Sequence, residues 1–212
     1  MENDLNDKQI QILEVAEKLF AEKGFDGTSI RDISKEAKIN VAMVSYYFGS
    51  KEKLLESLVL FKTSGLKEQL VHLIEENLEP VEKINKLIEL YINRLNCNRG
   101  IYRVLHFELA SKKRVLELQS FSEIKKSNLK SLELIIQEGQ AKGVFRKDVI
   151  IELLTPTILG TYFHFQMNKP FFEDILNLKT EEAFNNYVKN DLTKHIQQTI
   201  KALLVYEITT KD

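Results

Sequence analysis

Apolar residues recur every three or four positions along most of this 212-residue chain, so the pattern predicts helices almost throughout. Ile10, Leu13, Ala16 and Phe20, joined by Ile12 and Leu19, form one broad stripe for a first helix. Gly24 follows the last periodic residue, where a left-handed C-terminal cap favours a residue without Cβ, and Phe25 can return to touch Phe20. Thr28 or Ser29 can cap a second helix, with Asp32 in its first turn and Ile30, Ile33, Ser34 and Ala37 inward. That helix is expected to end at Lys38. Asn40 then caps a third, with Val44 and Phe48 buried one turn apart, before Gly49 and Ser50 recap the chain and Lys51 opens a fourth. Three short helices with a tight turn between the second and third make a helix-turn-helix unit, and double-stranded DNA becomes the first partner to consider.

Beyond Leu54 the pattern offers helices without motifs. A fourth helix is predicted over 50–77, weakened at Thr63-Ser64-Gly65, and a fifth over 80–95 with Pro80 in its first turn. A loop over 96–100 leads to a helix over 101–110. A long helix over 113–142 follows, with Leu116, Phe121, Ile124, Leu132 and Ile136 apolar, and ends at Gly143. Two more are expected over 148–167 and 191–208, the latter with Thr180 as an alternative start. Leu192, Ile196, Ile200 and Leu203 form one stripe, and Ile150, Leu154, Ile158 and Phe165 another. Leu153, Thr157, Gly160 and Thr161 leave room for a neighbouring helix. Such stripes can pair two copies in a four-helix bundle or face the chain's own core, and periodicity does not choose between them.

Composition adds limits. Three prolines and eight glycines agree with a mostly helical chain, and the apolar content is ample for a core. The single Cys97 excludes an internal disulfide, and four scattered histidines offer no zinc spacing, so neither a metal nor a cofactor is expected. No apolar run approaches the roughly 18 residues of a membrane span, and the polar, acidic Met1-Glu-Asn-Asp-Leu start does not read as a signal sequence. A soluble cytoplasmic protein without membrane contact is the expectation. Residues 1–63 carry nine Lys or Arg against eleven Asp or Glu, too acidic for a strong nonspecific DNA binder. From Thr28 to Lys53 the balance is five against three, a local basic rim that suits a specific dimeric binder.

The segment from Ile10 to Leu54 resembles the N-terminal domain of TetR-family transcriptional regulators. The likeness rests on Ala16-x-x-Leu19-Phe20, Gly24-Phe25, Thr28-Ser29 with Ile33 following, and the exit Tyr47-Phe48-x-Ser50-Lys51-Glu52-x-Leu54. Lys38 stands where a glycine commonly makes the turn, which must therefore tolerate a side chain. Ser45 stands where many members carry tyrosine, so one phosphate contact is shortened or passes to Tyr46 or Tyr47. The resemblance implies an all-α protein of about nine helices: a helix-turn-helix domain over 1–55 and a larger regulatory and dimerising domain over 56–212. It also favours a homodimer paired through the two final helices.

The chemistry expected at the DNA face follows from side-chain type. Val41, Ala42 and Met43 open the third helix and can meet only thymine methyl groups, whereas Arg31 can make a bidentate contact with guanine. In the resembled family the position of Arg31 approaches bases. Thr28, Ser45, Tyr46, Tyr47 and Lys51 suit phosphates, which set register, and the capping residues Ser29 and Asn40 complete the set. Residues 102–172 are rich in aromatics, and Tyr102, Phe107, Phe121, Asn128, Tyr162 and Phe165 are the candidate ligand-binding set. A helical core would look the same. The resemblance implies a repressor released from an inverted-repeat operator by a small apolar or amphipathic effector; the expected mechanism is a population shift in which the fourth helix tilts, with Gly65 either its yielding point or merely a close packing point. The alternative is a DNA-binding architectural or protein-regulated factor without an effector. An enzyme is not expected: there is no phosphate-binding glycine loop or nucleophile elbow, and pairs such as His106 and Glu108 are common in helices.

Overall fold

A computed structural model describes residues 5–111 and 119–205. Its regular elements are helical, and they gather into two compact units.

The first unit contains α1 (Asp7–Lys23), α2 (Ile30–Glu36), α3 (Val41–Phe48), α4 (Lys51–Thr63), α7 (Arg99–Ser111) and the start of α8 (Gln119–Ala141). Its core joins Ile12, Leu13, Ala16 and Phe20 of α1 to Ile33, Val44 and Phe48. Leu54, Leu55, Leu58 and Val59 of α4 complete it, together with Ile101, Val104, Leu105 and Phe121 from the later helices. The expected boundary at residue 55 therefore falls inside α4, among residues that are fully buried in this unit. Each early helix begins on a side-chain cap. Asn6 and Gln9 form a reciprocal capping box on α1, and Ser50 accepts from the Lys53 amide on α4. Phe25 returns to Phe20, ring centroids 5.2 Å apart and tilted by 31°, but Gly24 holds φ 74° and ψ 170°, a positive-φ conformation other than the expected left-handed helical cap.

The second unit contains α5 (Gly65–Glu75), α6 (Pro80–Cys97), most of α8, α9 (Leu154–Met167), α10 (Lys169–Ile175), α11 (Glu181–Tyr187) and α12 (Thr193–Leu204). Lys83 of α6 is buried where three helices meet. Its Nζ donates to the Ile74 carbonyl near the end of α5 at 2.7 Å and to Glu138 Oε2 of α8 at 2.9 Å. Glu138 also holds Lys142 at 2.9 Å, and the two ammonium groups keep its carboxyl below the usual range. At the end of α8, Phe145 folds back against Gly139, where any Cβ would lie 2.0 Å from the ring.

Several elements differ from expectation. The helix predicted over 50–77 is interrupted at Ser64, which still holds helical angles (φ −60°, ψ −44°) and donates its amide to the Leu60 carbonyl. The Thr63 hydroxyl bonds back to the Val59 carbonyl at 2.7 Å, and α5 starts at Gly65. The expected loop over 96–100 shrinks to Asn98 between α6 and α7. The start at Asp148 is too early: Ile150 is extended, a 3₁₀ turn spans Ile151–Leu153, and α9 begins at Leu154. Lys169–Ile175 was not anticipated as a helix, although Pro170 suits its first turn. Thr180 does cap the helical run that ends the described chain, with a π-helical segment over Val188–Leu192 between α11 and α12. Buried residues there recur every fourth position from Phe184 through Leu204, and the wider π turn offsets the drift of that spacing from about 3.6 residues per turn. The predicted stretch over 113–118, with Leu116, and the end at Ile208 lie outside the described residues.

Candidate nucleic-acid interface

The turn between α2 and α3 is made by Lys38 itself, at φ 53°. After Ala37 caps α2, the Lys38 amide donates to the Lys35 carbonyl and the Ile39 amide to the Ser34 carbonyl, which closes the helix end. At the other end of α2, Ser29 and Asp32 form a reciprocal capping box. Ser29 Oγ accepts the Asp32 amide at 3.1 Å, and Asp32 Oδ2 accepts the Ser29 amide and hydroxyl at 2.9 and 2.6 Å. The hydroxyl, and then the amide, hold the Asp32 carboxyl below the ordinary carboxylate range. Arg31 lies between these two residues with its side chain exposed.

Asn40 Oδ1 accepts the Ala42 amide at 2.9 Å and so starts α3. Val44 and Phe48 fix the inner face of that helix in the core. Val41, Ala42, Ser45 and Tyr46 are then left in solvent, with Met43 and Tyr47 half-buried. Tyr46 is 84% exposed, packed edge-on to Tyr47 at 5.3 Å. Exposed apolar side chains at the start of a helix and an exposed tyrosine one turn on form a surface suited to base methyl groups and phosphates.

Two of the residues expected at phosphates are engaged within the protein. Thr28 is 1% exposed, and its hydroxyl donates inward to the Leu19 and Gly24 carbonyls at 3.1 and 2.9 Å, so it is not available to a phosphate. Lys51 does not project from the start of α4. Its Nζ donates to the Phe25 and Thr28 carbonyls, both at 2.9 Å, and sits 4.3 Å from the Phe25 ring centroid. Gln11 went unnoticed in the sequence, yet its side-chain amide donates to the Ala37 carbonyl at 3.0 Å and holds the far end of α2 to α1. A glutamine on a half-exposed helical position gives no sequence signal of such a role.

The comparisons with known proteins decide the family. Residues 12–58 match the family described as bacterial regulatory proteins, tetR family. Residues 80–200 match the family described as tetracyclin repressor-like, C-terminal domain. The chain belongs to the TetR family. The transcriptional repressor NicS of Pseudomonas putida is 28% identical over 167 residues, 74% of this chain and 75% of its own. The fatty acid metabolism regulator protein of Bacillus subtilis is 29% identical over 155 residues, covering 73% and 79%. A crystal structure of the regulator FadR from Bacillus subtilis in complex with stearoyl-CoA superposes with a TM-score of 0.68 at 25% identity, covering 88% of this chain and 96% of that one. This TetR-family chain is thus a DNA-binding transcriptional regulator rather than an enzyme. No helix among the described residues is long and apolar enough to cross a membrane.

The expected ligand set is dispersed in this TetR-family fold. Tyr102, Phe107 and Phe121 belong to the first unit, where Phe121 is core, Tyr102 packs on that core and Phe107 is exposed. Tyr162, Phe165 and Asn128 belong to the second unit and are buried. Tyr162 is core, with its hydroxyl directed to Asn96 Oδ1 at 3.4 Å. Asn128 differs from the rest, because its buried Oδ1 has no hydrogen-bond partner among the described residues. A cleft of about 590 Å³ lies in the second unit among α9, α10 and the π segment, lined by Phe165, Phe172, Tyr187, His164 and His195 among others. Phe165 alone of the predicted set reaches it. Phe165 stacks on Phe172 at 4.4 Å and on Tyr187 at 5.6 Å.

The stripes expected to pair two copies also turn inward. Leu192, Ile196 and Ile200 are buried in the second unit, as are Leu154, Ile158 and Phe165. Of those stripes only Ile150 and Leu203 are exposed. The exposed positions of α9 are Pro156, Gly160, His164 and Met167, of which Gly160 and His164 also line the cleft; a Cβ at Gly160 would meet nothing within 4 Å.

Proposed function

We propose that this chain is a repressor that binds a palindromic operator as a homodimer in the cytoplasm and is released by a small apolar or amphipathic effector. The observation that carries the reading is the presentation of α3: capped by Asn40 and held by Val44 and Phe48, it leaves Val41, Ala42 and Tyr46 in solvent beside the exposed Arg31 of α2. Val41, Ala42 and Met43 read thymine methyl groups, Arg31 reads a guanine, and Ser45, Tyr46 and Tyr47 hold phosphates. Pairing of two copies is proposed because one helix-turn-helix module alone has too little contact area for a specific site, and the exposed Gly160 and Met167 of α9 and Leu203 of α12 are the positions we assign to it. An acyl thioester is the first effector class to test, since a FadR similar to this chain was crystallised with stearoyl-CoA. The cleft lined by Phe165, Phe172 and Tyr187, with His164 and His195 among its polar groups, is the site we assign to such a ligand.

The test is selection from a random duplex library by the full chain at about 0.15 M salt, near physiological ionic strength, with Arg31→Ala as the control. The expected result is an inverted repeat, T-rich under α3, whose guanine preference weakens in the control. Stearoyl-CoA and free fatty acids are then added to the bound complex. Release supports the regulated repressor. An enriched operator with no release or thermal shift favours the factor without an effector, and no enrichment removes the proposed reading face.

A further inference from the structure

The turn between α1 and α2 is held from two directions. From inside, Thr28 Oγ1 ties it to the Leu19 and Gly24 carbonyls at the end of α1. From α4, the Lys51 ammonium donates to the Phe25 and Thr28 carbonyls and caps the face of the Phe25 ring, which itself stacks on Phe20. Two of the three ammonium protons are thereby committed to backbone, in a geometry where charge-assisted bonds are roughly twice as strong as neutral ones. The next residue after Thr28 is the cap of α2, and two further on is Arg31. Gln11 fastens the other end of α2.

We infer that Lys51 is a positioning residue for DNA reading: it fastens the start of α4 to the turn that launches α2, so that α2, with Arg31, moves with α4 as one body. This inference rests on the DNA-reading face proposed above. Its consequence concerns geometry. A tilt of α4 with Lys51 in place carries the α2 cap along, whereas without the ammonium α4 and the turn part company. Leu54, Leu55, Leu58 and Val59 still anchor α4 to the core, so the unit remains folded when the fastening is lost.

Lys51→Met keeps the aliphatic stem and removes the donors. Two measurements on the full chain separate the roles. In the free protein, amide hydrogen exchange over residues 26–29 is expected to quicken about tenfold, as the loss of charge-assisted bonds implies, while amides at Leu58 and Val59 are unchanged. On a duplex recovered by selection with the wild-type chain, affinity is expected to fall about tenfold with the slope of log K against log salt preserved. A phosphate contact would instead lower that slope by about one per half-site. A lowered slope with an undisturbed turn, or unchanged affinity and exchange, overturns the inference. Lys51→Arg serves if the methionine variant does not fold. It retains the charge, and its planar fork cannot place one nitrogen between both carbonyls, so affinity drops with the slope kept, whereas a phosphate-binding position would accept arginine without loss. If the wild-type chain enriches no duplex, the DNA-reading proposal fails, and the exchange experiment still decides whether Lys51 fastens the turn.

Discussion

Lys38 holds a left-handed conformation that costs an L-residue about 1 kcal/mol. Lys38→Gly is therefore expected to raise unfolding free energy by roughly 1 kcal/mol, less the backbone entropy glycine adds to the unfolded chain, measured by urea denaturation. Gly139 poses the opposite problem. Gly139→Ala drives a methyl group into the Phe145 ring, and a loss of about 1–3 kcal/mol is expected in the same assay. Asn128→Leu removes a buried acceptor without a partner among the described residues, so thermal stability should rise. A fall in stability would mean that the amide serves the fold. At this scale the sequence is readable wherever a side chain acts on its own neighbours: spacing suffices for the caps at Asn40 and Ser50, and narrows that of α2 to Thr28 or Ser29. The inward bonds of Thr28 and Lys51 are not readable, because their partners are backbone carbonyls brought near by folding, and residue type does not announce them.

Helices were legible in number and kind where a stripe was long, and their orientation was not. Leu192, Ile196 and Ile200 could have faced a partner or the chain's own core, since an apolar stripe states that it is buried and not against what. The break at Ser64 was visible as the weak point Thr63-Ser64-Gly65, because hydroxyl back-bonding and glycine both act locally. Replacing Thr63, Ser64 and Gly65 together by alanine removes the back-bond and the glycine and should make α4 and α5 one continuous helix. If that break yields during the response, operator affinity will persist while effector-induced release is lost in a fluorescence-anisotropy titration. Unchanged release would remove the hinge. The contact among α5, α6 and α8 has a pH signature. Glu138 has its folded carboxyl value lowered by Lys83 and Lys142, so its contribution is present above the unfolded value of about 4.3 and is lost as pH falls through the lower folded value. Glu138→Gln should thus be less stable than the parent chain at neutral pH, and the two melting curves should converge in acid.

For the whole molecule, self-association is best tested at Gly160. A Cβ there meets nothing within 4 Å in the single chain and leucine has better helix propensity than glycine, so the protein should fold at least as well. If α9 is the pairing face, sedimentation should report monomer for Gly160→Leu where the parent chain is dimeric, with operator binding lost alongside; a dimeric variant would move the interface elsewhere. The first compact unit carries a different lesson. Its core takes Ile101, Val104, Leu105 and Phe121 from a stretch that enters well after α4, and α7 also reaches α1 through Arg103, whose guanidinium donates to the Ala21 carbonyl at 2.6 Å. A DNA-reading head excised at residue 65 would leave the α7-facing side of that core open to water. Exchange of regulatory halves between proteins of this design, whether by a protein engineer or by recombination, therefore requires two cuts and the transfer of the 98–124 stretch with the head. A crossover placed after the recognizable motif would yield a chimera with the right address and no stable body to carry it.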